Sequence, residues 1–207
     1  MSVIRRTLLA GAVSLIPAAA RAQAGETDSV VYQLSPASRF EVKTGKAGLL
    51  GFAGHAHLVR AHGFSGRIVY HPSAPSDSRL EITVPADSLE IVTSDTAESR
   101  KVMQAMRTDV LHVDEHPTIQ FVSTEVTPTP DGFHVAGELT LAGRTGDVTV
   151  EIRAEVGPDT LHATGSFSVK QTDFGIKPYR GGPAGTVRVA DRVTFAFEAV
   201  GVRAPPP

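Results

Sequence analysis

Three histidines near the start of the chain are the first candidates for chemistry: His55, His57 and His62. Positions 55 and 57 are two apart, so on a strand both imidazoles would project from one side. Neutral imidazoles in such pairs bind zinc or copper, and His62 could supply a third nitrogen. The same side chains could instead line a polar mouth and hydrogen-bond the head group of a ligand. Gly51, Gly54 and Gly63 flank the group, and on a loop the spacing would lose its meaning. Arg180 is a further head-group candidate. With Tyr179 it stands beside the glycine-rich run 181–185, and its guanidinium could meet a phosphate or a quinone oxygen.

Other strings carry less. His112-Val-Asp-Glu-His116 matches an inverted zinc-protease motif, which works only on a helix. Pro117 pushes His116 out of the helical region, and the residues that follow read as strand. No Gly-x-Ser-x-Gly elbow occurs, so a hydrolase has little to stand on. The run 181–185 has neither dinucleotide nor P-loop spacing. No catalytic residue is assigned, and an enzyme is not expected.

Composition narrows the classes further. The chain has no cysteine among its 207 residues, which excludes disulfides, thiolate metal sites and a cysteine nucleophile. Its formal net charge is −2. Without the three arginines of the first 24 residues, 17 Lys and Arg face 22 Asp and Glu, a net −5. An acidic chain argues against nucleic acid as a partner.

Residues 1–24 read as an address. Arg5 and Arg6 precede an apolar run from Leu8 to Ala20, and Ala22-Gln23-Ala24 is a small-x-small cleavage site. The run is shorter than the roughly 20 residues a membrane-spanning helix needs. The paired arginines and the Ala-rich core predict a twin-arginine signal, with a general secretory signal as the alternative. Either route delivers residues 25–207 to the periplasm as one domain. No later segment predicts a membrane span.

The elements that must position these residues are mostly strands. Apolar and polar residues alternate with period two through 40–43, 67–70, 80–84, 119–121 and 139–141, then 148–156, 161–169 and 193–199. Turn residues at 128–132, 143–146 and 157–159 join neighbouring runs by short connections, which predicts antiparallel hairpins. Asp173-Phe174-Gly175 predicts a turn in which glycine takes positive φ. One helix is predicted near 96–107. Asp95 and Glu98 form its capping pair, and Val102, Met103 and Met106 share a face. Eight or nine strands with one apolar face each make an all-β protein, either a closed antiparallel barrel or a sandwich.

The ordered blocks of the chain resemble one family. They are Tyr32 to Ser38, Gly48 to His57 with His62 to Gly66, and Val84 to Leu89. Met106 to Leu111, Asp114 to Phe121 and Val135 to Leu141 follow, then Gln171 to Pro178 and Val187 to Val193. Together they are similar to the YceI-like family of lipocalin-like, isoprenoid-binding periplasmic proteins. His116 departs from it, standing where the family often has an aromatic residue. The resemblance implies a lipocalin-like antiparallel β-barrel of about eight strands. It also implies a short helix after the fourth strand or so, and an apolar lumen. The implied ligand is a polyprenyl quinone or another polyprenyl lipid, with no cofactor required.

An apolar lumen would favour such a ligand physically. Each buried methylene contributes about 0.8 kcal/mol, while association costs an estimated ~4–15 kcal/mol. About ten methylenes barely offset that cost, so a tunnel selects for long tails. The expected wall is Phe40, Val42, Ile68, Ile82, Val84, Ile119, Phe121, Leu139, Leu141, Phe167, Val169, Phe195 and Phe197. Head-group candidates are His55, His57, His62 and Arg180. The reading is a periplasmic binding protein that stores or transfers a long isoprenoid or similar amphiphile. The alternative is a metal or redox accessory protein built on His55, His57 and His62. A sheet edge or the barrel mouth could also pair two copies as a homodimer.

Overall fold

A computed structural model describes residues 28–46, 57–93, 96–181 and 187–205. The leader read at residues 1–24, His55 and Asp95 lie outside the described residues. The described residues include twelve strand segments and one α-helix, with short single-turn helices between some of them. They are β1 Val30–Leu34, β2 Arg39–Lys46, β3 Leu58–Ala61, β4 Ser65–Tyr70, β5 Arg79–Pro85 and β6 Leu89–Ile91, then α1 Thr96–Ala105. After it come β7 Thr118–Thr129, β8 Gly132–Leu141, β9 Arg144–Val156, β10 Thr160–Lys170, β11 Arg180–Gly181 and β12 Val187–Arg203.

The pairing makes an eight-stranded closed antiparallel barrel. The ring runs β1-β4-β5-β7-β8-β9-β10-β12 and closes where β12 returns to β1. The segments β2, β3 and β6 continue β1, β4 and β5 beyond a kink: β12 pairs with β2, β2 with β3 and β3 with β6. Three bent strands and five straight ones therefore make the wall, each beside its neighbour in the chain.

The kinks are stitched by serines. Ser38 stands between β1 and β2, where its buried hydroxyl accepts from the Val200 N–H at 2.9 Å and donates to the Val200 carbonyl at 3.2 Å. Ser88 stands between β5 and β6 and donates to the Gly63 and Pro85 carbonyls. Each supplies hydrogen bonds that an unbroken ladder would have made.

α1 follows the sixth strand segment, which ends the third of the eight wall strands, close to the place the resemblance implies, and passes into a wide turn at Met106–Val110. There the Leu111 N–H bonds the Met106 carbonyl, five residues back. β5 pairs with β7, but among the described residues β6 pairs only with β3. α1 lies against β6 at this break in the ladder.

Packing divides into two apolar clusters. The larger, including Val59, Leu89, Ile91, Leu139, Leu141 and Phe174, lies toward the α1 end. The smaller, around Tyr32, Leu161, Ala163 and Ala199, lies at the other end. There the Tyr32 hydroxyl donates to the Gly157 carbonyl at 2.6 Å, tying β1 to the β9–β10 turn. Burial pushes the Tyr32 phenol above its ordinary pKa. Among the described residues no helix is long and apolar enough to cross a membrane.

Candidate functional site

Strand alternation sends one residue in two to the inside of the barrel. Those residues enclose a cavity of about 590 Å³ that runs between the two ends of the barrel. Its lining is overwhelmingly apolar and draws on all eight strands and on α1. The volume falls within the roughly 300–1,000 Å³ common for small-molecule sites.

Two features of the sequence keep this interior hollow. The first is glycine facing aromatic. Gly165 on β10 pairs directly with Phe197 on β12, and a Cβ on Gly165 would meet the Phe197 ring at 2.6 Å. Gly137 on β8 pairs with Ser123 on β7, and a Cβ there would meet the ring of Phe121, two residues along β7, at 2.5 Å. Each ring therefore lies along the wall over its glycine. The second is a row of small side chains. Ala154, Ala163 and Ala199 are register partners across β9, β10 and β12, and all three line the cavity. Larger residues in that row would meet across the lumen.

Twelve of the thirteen wall residues expected from the sequence line this cavity. Phe167 and Phe195 stack at 5.0 Å between ring centres, and Phe40 lies 6.3 Å from Phe197. The exception is Val169. It is buried in the larger cluster with Phe174 and Ile176 but does not line the cavity, because the chain turns back at Gln171–Phe174 directly after it. That turn ends at Gly175 with φ +71°, the positive value its sequence predicts. Val102 on α1 and Met106 in the turn after it line the cavity, whereas Met103 faces an outer groove with His62, Glu90 and Arg107.

The head-group candidates separate. His57 precedes β3, in phase with the inward Val59 and Ala61, and lines the cavity. Its backbone is fixed by Thr44, whose hydroxyl accepts the His57 N–H at 3.0 Å. His62 follows β3 and is out of phase with His57. Its Nε2 meets the Glu90 carboxylate at 2.7 Å on the exposed surface. A strand rises about 3.3 Å per residue, so the five residues from 57 to 62 span roughly 16 Å. The convergence required by the metal alternative is therefore absent among the described residues, which hold no group of three metal-ligating side chains.

The His112–His116 string is a set of turns, with His112 at φ +48° rather than on a helix. Arg180 is exposed and does not line the cavity, although its neighbour Tyr179 and its register partner Arg188 do.

Several lining residues escaped the sequence reading. Val59 and Ala61 sit on a four-residue strand hidden between glycines. Tyr70 closes a recognised alternating run. Lys101 adjoins the apolar face assigned to the helix, and Arg188 sits within one of the blocks that carry the family resemblance. No period marks the last two, because they are exposed residues that only the assembled barrel brings to the border of the cavity.

Comparison with known proteins agrees with this architecture. The YceI-like domain matches residues 32–201. A UPF0312 protein of Pseudomonas aeruginosa (strain LESB58) is 31% identical over 124 residues, covering 57% of this chain and 62% of the relative. One from Pectobacterium atrosepticum is 28% identical over 90 residues, 44% of each chain. The chain thus spans less than two thirds of these relatives.

Among solved structures, Burkholderia cenocepacia BcnA superposes with a TM-score of 0.64 at 20% identity, over 81% of this chain and 98% of that one. A polyisoprenoid-binding domain from Saccharophagus degradans, implicated in plant cell wall breakdown, gives 0.61 at 12% identity, over 84% and 99%. The Campylobacter jejuni YCEI protein gives 0.55 at 15%, over 72% and 85%. At these identities the structural likeness speaks for the barrel, while the domain match spans nearly all of it from β1 to the end of β12, and on that match the chain belongs to the YceI-like family.

Proposed function

We propose that this chain is a periplasmic binding protein that holds a long isoprenoid, or a similar amphiphilic lipid, inside its barrel for storage or transfer. The observation that carries the reading is the continuous apolar cavity of about 590 Å³ within a closed barrel. A lumen walled mainly by Phe, Val, Ile, Leu and Ala offers little to a wholly polar substrate, and every methylene it buries gains about 0.8 kcal/mol. The polyisoprenoid-binding domain of Saccharophagus degradans has the same fold, which supports the ligand class. The pattern of residues 1–24 supports export. The role is binding rather than catalysis.

The test is mass spectrometry on protein recovered from the periplasm of its native host, first intact and then after solvent extraction. A stoichiometric prenyl lipid in the extract is the expected result. Protein recovered from the periplasm without lipid, and failing to take up a polyprenyl quinone or polyprenyl phosphate added in detergent, would overturn the carrier reading. Protein found only in the cytoplasm would overturn the export reading.

A further inference from the structure

We propose that the α1 end of the lumen selects an anionic head group, held by Lys101 and Arg188, so that the preferred ligand is a long-chain prenyl phosphate or carboxylate rather than a neutral quinone or alcohol; this rests on the carrier reading above. The chain is acidic overall, yet the charged side chains lining the cavity are Arg79, Lys101 and Arg188 against one carboxylate, Glu41. Glu41 is already neutralised: Arg60 donates to its Oε1 from Nη2 at 2.7 Å and from Nε at 2.9 Å. Arg79 is also committed, donating to the Ser78 carbonyl at 2.8 Å within its own turn at the opposite end. Lys101 and Arg188 border the cavity with their side chains exposed to solvent, and they make no ion pair among the described residues.

The topology brings these two cations to the same end. Arg188 is the second residue of β12, beside Val189, which pairs with Lys46 at the end of β2. β2 pairs in turn with β3, and His57 stands just before β3 with its N–H on Thr44. β3 pairs with β6, against which α1 lies, and α1 carries Lys101. Lys101 is one residue before Val102 and four before Ala105, both on the helix face that lines the cavity. Tyr179 lines the same end, its carbonyl held by the Val189 N–H. An ammonium, a guanidinium, an imidazole and a phenol thus stand at one end of an otherwise apolar tube. The guanidinium can grip a phosphate or carboxylate through two parallel hydrogen bonds, which a single quinone oxygen cannot match.

The probes are geranylgeranyl phosphate, geranylgeranoic acid and geranylgeraniol, which share one tail and differ in head. Dissociation constants are measured for the purified protein and for the Lys101→Gln/Arg188→Gln double variant, at low and high salt. The expected result is that both anionic probes bind at least about tenfold more tightly than the alcohol, a preference reduced by salt. The double variant should lose that preference while keeping the affinity for the alcohol, which reports an intact lumen. Phosphate bound more tightly than carboxylate would identify a prenyl phosphate as the ligand, and the reverse a prenyl acid, and either order supports an anionic head. Equal binding of all three by the unaltered protein, or a preference that survives in the double variant, would overturn the head-group assignment and leave the carrier reading standing. Failure of all three to bind would overturn the carrier reading itself.

Discussion

Gly165 shows how much one side chain can decide. In a strand a glycine weakens the ladder, so replacing it with alanine would ordinarily help by about 0.5–1 kcal/mol. Here the added methyl would stand 2.6 Å from the Phe197 ring and 2.8 Å from the Glu151 carbonyl oxygen. The carbonyl belongs to the ladder and cannot yield. Gly165→Ala should therefore destabilise the fold by about 1–3 kcal/mol, the usual cost of overpacking, read as a lower midpoint in urea unfolding with an unchanged slope. An unchanged midpoint would mean that Phe197 swings away from the wall, and lipid uptake should then fall. At this scale the sequence was legible wherever period-two alternation was long enough to show. Phe40, Ile82, Ile119 and Phe195 were readable in that way. His57 was readable only as a residue type, because its phase with Val59 and Ala61 depends on a strand too short to announce itself. Lys101 and Arg188 were not readable as lining residues, since a lone cation beside an apolar face is ordinarily solvated.

Two elements depend on single polar side chains for their placement. Ser38 replaces ladder bonds at the kink between β1 and β2, and it is 8% exposed. Ser38→Ala would leave the Val200 N–H without that acceptor, at a cost of about 1–3 kcal/mol. Hydrogen exchange at Val200 should accelerate more than at β8, which lies elsewhere in the ring. Equal acceleration throughout would show that the kink carries no local stability of its own. Asp191 acts on the segment that leads to Tyr179. It accepts the Thr172 backbone N–H at 2.9 Å and the Thr172 hydroxyl at 2.8 Å. The backbone bond, with the hydroxyl bond beside it, holds the carboxyl below its ordinary pKa of 3.8. A depressed folded value stabilises the fold above the ordinary carboxylate range, and that contribution is lost as pH falls through the folded pKa. Asp191→Asn should therefore flatten the acid limb of the stability profile below about pH 4 and leave the profile near neutrality parallel to that of the unaltered chain. An acid limb of unchanged steepness would sink this assignment. The hairpins β7–β8, β8–β9 and β9–β10 were all legible from their turn residues. The segments β1, β3, β6 and β11 were not, because each has five residues or fewer and a kink or hairpin rather than a long alternation defines it.

Whether the barrel is hollow or filled belongs to the whole molecule, and no alternation pattern could answer it, since a filled core and an open lumen need the same apolar face. What answers it is the distribution of side-chain size around the ring. Ala154, Ala163 and Ala199 form one small-residue row, and Gly137 and Gly165 let two phenylalanines lie flat. Each was visible in the sequence, but their adjacency exists only after β8, β9, β10 and β12 take their register. This gives a direct test of what the space is for. In a packed core, Ala163→Phe would force neighbours off their rotamers and cost about 1–3 kcal/mol. Here the new ring points into a cavity of about 590 Å³ and meets open space flanked by alanines. The stability of the Ala163→Phe protein should therefore stay within about 1 kcal/mol of the unaltered chain or rise, because apolar surface gains a packing partner. Uptake of geranylgeranyl phosphate should fall sharply, since the ring narrows the tube where the tail must pass. Thermal unfolding without ligand and equilibrium binding with it separate the two effects. A protein that unfolds far earlier would mean the row is already packed against something. One that stays stable and binds as before would mean the tail does not pass Ala163, and the ligand would then have to lodge wholly toward the α1 end, among Val59, Ile91 and Met106.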